Sequence, residues 1–255
     1  MSLRVTLDGE IAIATLEGPH HNAIDARTWG EIETTFTELA THGELRCVVL
    51  TGAGGHFAAG AEIGEFPVLR ADLAGVRHYH EAVIAPALSA LIACPVPVIA
   101  RIEGDCIGGG LEIAACCDLR YASADARFGV PIGRLGFSMA PDEFTVLLRS
   151  VGAAVAAEML YEGRLLSAQE AFERGVVTRV VETKALTGAI DGALERILAQ
   201  APMAQRINKR LLRSLSLGPL SDADRSDAFR YAETDDHREG VRAFLEGRAP
   251  RFLKS

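Results

Sequence analysis

Two short stretches of the 255-residue chain combine small residues with a carboxylate in a pattern that suits chemistry. In Phe57-Ala58-Ala59-Gly60-Ala61-Glu62-Ile63 the side chains between Phe57 and Glu62 are a methyl group or nothing, so the peptide N–H groups lie open to a ligand. In Gly108-Gly109-Gly110-Leu111-Glu112 three glycines precede a helical pattern whose first turn holds a carboxylate. Bare backbone donors suit an oxygen that gains negative charge during a reaction, and a helix N-terminus adds a favourable dipole at the second stretch. Glu112 lies between the apolar residues Leu111 and Ile113. A turn and a helix-start acid would explain either stretch alone. Their joint occurrence after two neighbouring strands favours a pocket, because ligands in open α/β sheets bind beyond the carboxyl ends of the strands.

Other chemistries lack their residues. No G-x-x-x-x-G-K-[ST] or G-x-S-x-G is present, and Gly52-Ala53-Gly54-Gly55 does not complete G-x-G-x-x-G because Phe57 stands at the last position. His78 and His80 are two apart on a predicted helix, where they do not share a face, so no metal site is expected. His20 and His21 are expected to line a loop, with contact to a polar ligand as the alternative.

The composition, 49% hydrophobic and 24% charged, is that of an ordinary globular protein. A formal charge of -8 without a basic stripe argues against nucleic acid as a partner. The five cysteines, without C-x-x-C spacing and inside apolar runs, fit buried thiols in a reducing cytoplasm. Met1 to Glu10 has no apolar core of a signal peptide. Positions 82–100 lack charge over nearly the length of a membrane span, but Pro86, Pro95 and Pro97 would break a spanning helix, so the segment reads as a buried helix end followed by a buried strand.

These candidate groups need elements to hold them. A hairpin around Asp8-Gly9 opens the chain, and Asp25 caps a helix with Trp29, Ile32, Phe36 and Leu39 on one face and Gly43 as its stop. Buried strands are predicted at 47–51 and 98–102, a third at 118–122, and helices at 72–94 and 111–116. Pro141 starts another helix with Asp142 and Glu143 in its first turn, and Ser167 to Glu170 form a capping box closed by Gly175. From Thr183 onward the pattern is helical: 183–199, 202–215, 221–232 and 236–246. Strand, glycine loop and helix in succession specify an α/β core with a helical C-terminal unit.

In order and separation, several of these segments resemble the crotonase, or enoyl-CoA hydratase/isomerase, superfamily. They are Asn22-Ala23-Ile24, Val48 to Gly52, Phe57 to Ile63, Gly108 to Glu112, Cys117-Asp118-Leu119-Arg120, Phe128-Gly129 and Glu239 to Glu246, and the likeness covers nearly the whole chain. The resemblance implies a crotonase-like spiral of ββα units (1–195) with a C-terminal helical trimerisation region (196–255), assembled as a homotrimer or a hexamer. It implies an acyl-CoA thioester as substrate and no separate cofactor, coenzyme A being part of the substrate. By position, the N–H groups of Ala61 and Gly109 match the family's oxyanion hole, and Glu112 matches the first of two glutamates that flank the reacting carbons. His21, Ala23, Ala59, Gly60, Glu62, Ile63, Gly108 and Ile132 fall at substrate- and CoA-contacting positions.

One departure bears on the reaction. The second glutamate of family hydratases follows a Phe-Gly-x-Pro segment, and here Phe128-Gly129-Val130-Pro131 is followed by Ile132, which transfers no proton. Candidates for another polar group are Arg134, Asp142 and Glu143. Arg134 is expected at the surface, with recognition of a substrate carboxylate as the alternative. Asp142 and Glu143 are expected to stabilise a helix N-terminus. Arg248 is a candidate for a CoA phosphate. Double-bond isomerisation is the simplest chemistry for one certain carboxylate. Hydration, decarboxylation, thioester hydrolysis and acyl-CoA binding without catalysis remain open.

Overall fold

The computed structural model describes residues 1–252. Its strands are β1 (Ser2–Asp8), β2 (Ile11–Glu17), β3 (Cys47–Gly52), β4 (Val98–Ile102), β5 (Asp105–Ile107), β6 (Leu119–Ser123), β7 (Arg127–Gly129), β8 (Leu166–Ser167) and β9 (Arg179–Val181). One sheet has the order β1-β2-β3-β4-β6-β9 and is parallel apart from the β1-β2 hairpin, and a small sheet has the order β5-β7-β8. The hairpin loop is Gly9-Glu10, one residue beyond the expected dipeptide, with Gly9 at φ 59°.

The apolar run Cys47-Val48-Val49-Leu50 is buried throughout because both faces of β3 are covered. Val48 and Leu50 join the main core with Trp29, Ile32 and Phe36 of the helix Ala26–Thr41. Cys47 and Val49 point the other way, into a cluster with Ile99, Leu186 and Ile190, the last two from the helix Leu186–Leu198. Asp25 caps the first of these helices through the Thr28 N–H at 2.8 Å, and the helix ends at His42, ahead of Gly43.

The helix expected over 72–94 forms in three pieces. Leu73–His78 and Ala85–Ala93 are α-helical, and between them Tyr79–Ile84 is a π turn. Pro86 has no N–H to donate, and the wider turn lies directly before it. The small sheet escapes sequence reasoning because strands of two or three residues show no periodicity. The C-terminal helices are Pro202–Leu217, Asp222–Asp227 and Asp235–Glu246, and the helix expected over 221–232 breaks after Asp227 into a 3-10 turn, Arg230–Glu233. Lys209, almost fully buried, bonds to the Val96 carbonyl and Asp118, and Arg213 donates to the Cys94 carbonyl at 3.0 Å, so the first of these helices is latched to the entry of β4. The five cysteines are free and buried. Among the described residues no helix is long and apolar enough to cross a membrane.

Asn22 organises the first loop of the site. It follows His20 and His21 in a run of three left-handed residues (φ 53°, 56° and 59°), a conformation asparagine tolerates better than most. Its amide donates to the carbonyls of Ala53 and His56, both at 2.9 Å, and of Phe57 at 3.3 Å, and accepts from the Gly18 N–H at 3.0 Å. Replacing it by alanine strands these buried partners, and Asn22→Ala is expected to lose about 2–4 kcal/mol, read as a fall of roughly 5–15 °C in Tm by calorimetry.

Candidate active site

The two small-residue stretches meet. Ile24 bridges the first: its N–H donates to the Gly60 carbonyl at 2.7 Å and its carbonyl accepts from Glu62 N–H at 2.8 Å, so the Ala61 N–H faces the opposite side. Gly109 begins the helix Gly109–Cys116, whose first N–H groups have no intrahelical acceptor. Among the described residues neither the Ala61 nor the Gly109 N–H donates to a protein acceptor. Gly60 takes φ 99°, and a Cβ there would lie 3.6 Å from the Gly109 nitrogen, which measures how closely the two loops approach. A Cβ on Gly110 would stand 2.3 Å from the Ala58 carbonyl oxygen, so only glycine lets this helix start so near the loop.

Ala61 and Gly109 both border one cavity of about 190 Å³. Its walls include Trp29, Ala59, Gly60, Ile63, Gly108 and Ile132, and its polar side chains are Glu112, Glu143, His80 and Arg70. Glu112 is only 7% exposed, and its carboxylate accepts no hydrogen bond among the described residues. Burial first, and the charge of Glu143 second, push its carboxyl well above the usual range, against the pull of the Arg70 guanidinium. Glu143 sits in the first turn of the helix Pro141–Val151, is 3% exposed, and accepts from His80 Nδ1 at 2.6 Å. Arg70 stacks on Phe66, 3.8 Å from the ring centre, with Tyr79 and Phe137 further out, and its Nε has no partner.

Residues 6–255 match the family described as enoyl-CoA hydratase/isomerase. The chain belongs to the enoyl-CoA hydratase/isomerase family. It is 30% identical to an (E)-benzylidenesuccinyl-CoA hydratase of Thauera aromatica over 99% of both chains, and 31% identical to a short-chain-enoyl-CoA hydratase of Clostridium acetobutylicum over 94% of this chain and 93% of that one. A solved enoyl-CoA hydratase/carnithine racemase of Magnetospirillum magneticum superposes with a TM-score of 0.96 at 38% identity, covering 100% of this chain and 96% of that one. The fold is accordingly that of the crotonase superfamily, and family membership carries acyl-CoA processing with it.

In this enoyl-CoA hydratase/isomerase family member Ile132, which stands at the position of the hydratases' second glutamate, lies in the cavity wall, and Glu143 brings a second carboxylate to the same cavity. That corrects the sequence-based expectation: Glu143 is in a helix first turn, but its carboxylate turns inward to His80 instead of serving that helix's N–H groups. Asp142 is exposed and borders an adjoining cleft, and Arg134 donates to the Gly163 carbonyl at 2.9 Å, outside the cavity wall. Sequence reasoning passed over Arg70 and His80. His80 is weighed there only as a metal ligand beside His78, and nothing in Arg77-His78-Tyr79-His80-Glu81 marks which histidine turns inward.

Of the expected CoA-contacting positions, Ala59, Gly60, Ile63 and Gly108 border the cavity and His21, Ala23 and Glu62 do not. Ala23 is nearly buried, and Glu62 accepts from His20 Nδ1 at 3.1 Å and from the Gly64 N–H at 3.1 Å. His21 stacks on His56 at 3.6 Å and meets Asp105 at 2.9 Å. These three bring possible ligand atoms within 4.8 Å of one another, but Arg127 grips the Asp105 carboxylate at 2.6 Å and His56 Nδ1 accepts the Asp105 N–H at 3.1 Å, so a cation would have to displace both. Arg248 is held by Glu239 and Glu246, which favour its charged form.

The raised Glu112 carboxyl has a consequence for stability. In the unfolded chain it ionises near the ordinary 4.5, and in the fold it resists ionising, so the fold loses stability as pH climbs above 4.5 towards the raised value. Glu112→Gln, which keeps the shape without the charge, is expected to melt at least about 2 °C higher than the wild type at pH 7. The difference should close as pH falls to 4.5, as scanning calorimetry at the two pH values will show.

Proposed function

We propose that this enzyme forms an enolate from an acyl-CoA thioester, with the Ala61 and Gly109 N–H groups holding the thioester oxygen and Glu112 moving the proton at the adjacent carbon. The supporting observation is that an unbonded buried carboxylate and two unpartnered peptide donors border the same small cavity. In a site emptied of water by substrate, each donor acts at low dielectric on charge that appears only as the reaction proceeds. A carboxyl that burial keeps from ionising easily is a stronger base once it has lost its proton, which suits abstraction next to a thioester.

The reaction we assign is isomerisation of a 3-enoyl thioester to its 2-enoyl form, since Ile132 removes the usual partner for activating water. Hydration of a 2-enoyl thioester is the second reading, favoured by the names of the similar proteins. CoA contacts are assigned to the backbone of Ala59 to Ile63 and to Gly108, with His21, Ala23 and Glu62 beyond the acyl cavity. We assign the region 196–255 to assembly, and infer a homotrimer or hexamer, because Phe244 (83% exposed) and Leu245 (79%) present an apolar face on the last helix. The free buried thiols support a cytoplasmic protein.

With 3-hexenoyl-CoA the enzyme should yield 2-hexenoyl-CoA, and Glu112→Ala should cut kcat by about 10²–10⁴; unchanged turnover in that variant would remove Glu112 from the mechanism. Crotonyl-CoA hydrated faster than 3-hexenoyl-CoA is isomerised would establish the second reading. Light scattering should give a mass three or six times that of the chain, and Phe244→Asp should lower it to that of one chain.

A further inference from the structure

The cavity has a second carboxylate whose surroundings differ from those of Glu112. Glu143 and His80 both border the acyl cavity, and both also border an adjoining cleft of about 840 Å³ that opens between the π turn and the start of the helix Pro141–Val151. They form a shared wall: Glu143 Oε1 and His80 Nδ1 are 2.6 Å apart, with 3% and 9% of the two residues exposed. Removing such a pair from water is costly, and apolar residues of similar volume often do as well for stability. A Glu–His pair in this wall, unlike apolar residues, can pass protons between the cavity and the cleft. The π turn Tyr79–Ile84 is the local device, because the extra residue in the turn directs both Tyr79 and the adjacent His80 inward. The charged groups around the pair are Arg70 and Glu112 on the cavity side and Arg77, Glu81 and Asp142 on the cleft side.

We propose that Glu143 is the second proton-transfer group of the reaction and that His80 couples it to water in the outer cleft. The inference rests on the enolate reading of Glu112 and extends it. In the isomerisation, Glu112 takes a proton from the α-carbon, breaking that C–H bond and leaving a dienolate whose oxygen is held by Ala61 and Gly109. Glu143, supplied by His80, gives a proton to the γ-carbon, forming the new C–H bond as the double bond moves into conjugation. His80 then recovers a proton from cleft water and passes it to Glu143, while Glu112 releases the α-proton to solvent once the product has left. Protons gained and lost balance, and no oxidant or other reactant is needed. Glu143 acts on the reacting carbon, and His80 is a positioning and relay residue that acts through it.

The partial reactions separate the roles. In deuterium oxide, wild-type enzyme should exchange the α-protons of butyryl-CoA, and Glu143→Gln and His80→Gln should retain that exchange within about tenfold when each is compared at its own pH optimum, because Glu112 and the two N–H groups remain while Glu143→Gln also removes a charge that raises the Glu112 carboxyl. With 3-hexenoyl-CoA both variants should isomerise about 10²–10³-fold more slowly, and wild-type 2-hexenoyl-CoA should contain solvent deuterium at the γ-carbon. His80→Gln can still donate a hydrogen bond to Glu143 but cannot relay a proton, so its defect reports the relay, and the retained α-exchange reports that both variants fold. The proposal is overturned if either variant isomerises within about fivefold of wild type, or if the α-hydrogen reaches the γ-carbon without solvent deuterium. A wild type that exchanges no α-protons overturns the Glu112 chemistry itself and the role of the pair with it, a failure recognisable by the step at which it appears.

Discussion

Everything at the site depends on how closely one helix start approaches one loop. Gly110 lies so near the Ala58 carbonyl that no side chain fits between them, and Gly60 stands in van der Waals range of Gly108 and Gly109. This contact brings the Ala61 and Gly109 N–H groups to one cavity and leaves both without a protein acceptor. Unsatisfied donors in a buried site are unfavourable in the resting protein, and that is what supports the proposal that they hold a developing oxyanion. The same helix carries Glu112 one turn further on, so donors and carboxylate move as a unit with its N-terminus.

The rest of the fold secures that approach. β3 and β4, buried on both faces, deliver the two loops side by side, and the Asn22 amide ties the backbone of residues 53–57 to the loop before Ile24. Ile24 in turn fixes Gly60 and Glu62, and thereby the direction of the Ala61 N–H. The C-terminal helix Pro202–Leu217 is attached through buried Lys209 and Arg213 to the carbonyls that lead into β4, a link between the peripheral helices and the sheet that presents the site.

The cavity contains opposed electrostatic demands. Burial resists a charge on Glu112, Glu143 resists it further, and Arg70 favours it without closing an ion pair. Arg70 is surrounded by Phe66, Tyr79 and Phe137, an arrangement that holds a cation in an otherwise apolar wall. The two carboxylates differ in what they touch: Glu112 accepts no hydrogen bond, and Glu143 is bonded to a histidine.

The sequence alone determined the α/β core, the glycine loops and the placement of Glu112, because each is a local property: an apolar run of strand length, glycines where backbone must come close, an acid in a helix first turn; that Ile132 stands where family hydratases carry a glutamate came from the resemblance. Tertiary structure decided which second carboxylate borders the cavity. Glu143 looked like a helix-start acid because a position in a first turn says nothing about which side of the helix meets a neighbour. His80 looked like one of two unpaired histidines because the π turn that directs it inward has no sequence periodicity of its own. Arg134 and Arg70 could not be distinguished by composition either: the direction of a long flexible side chain is set by what packs around it, and here the rings of Phe66, Tyr79 and the sequence-distant Phe137 hold Arg70 in the wall while a single carbonyl holds Arg134 outside.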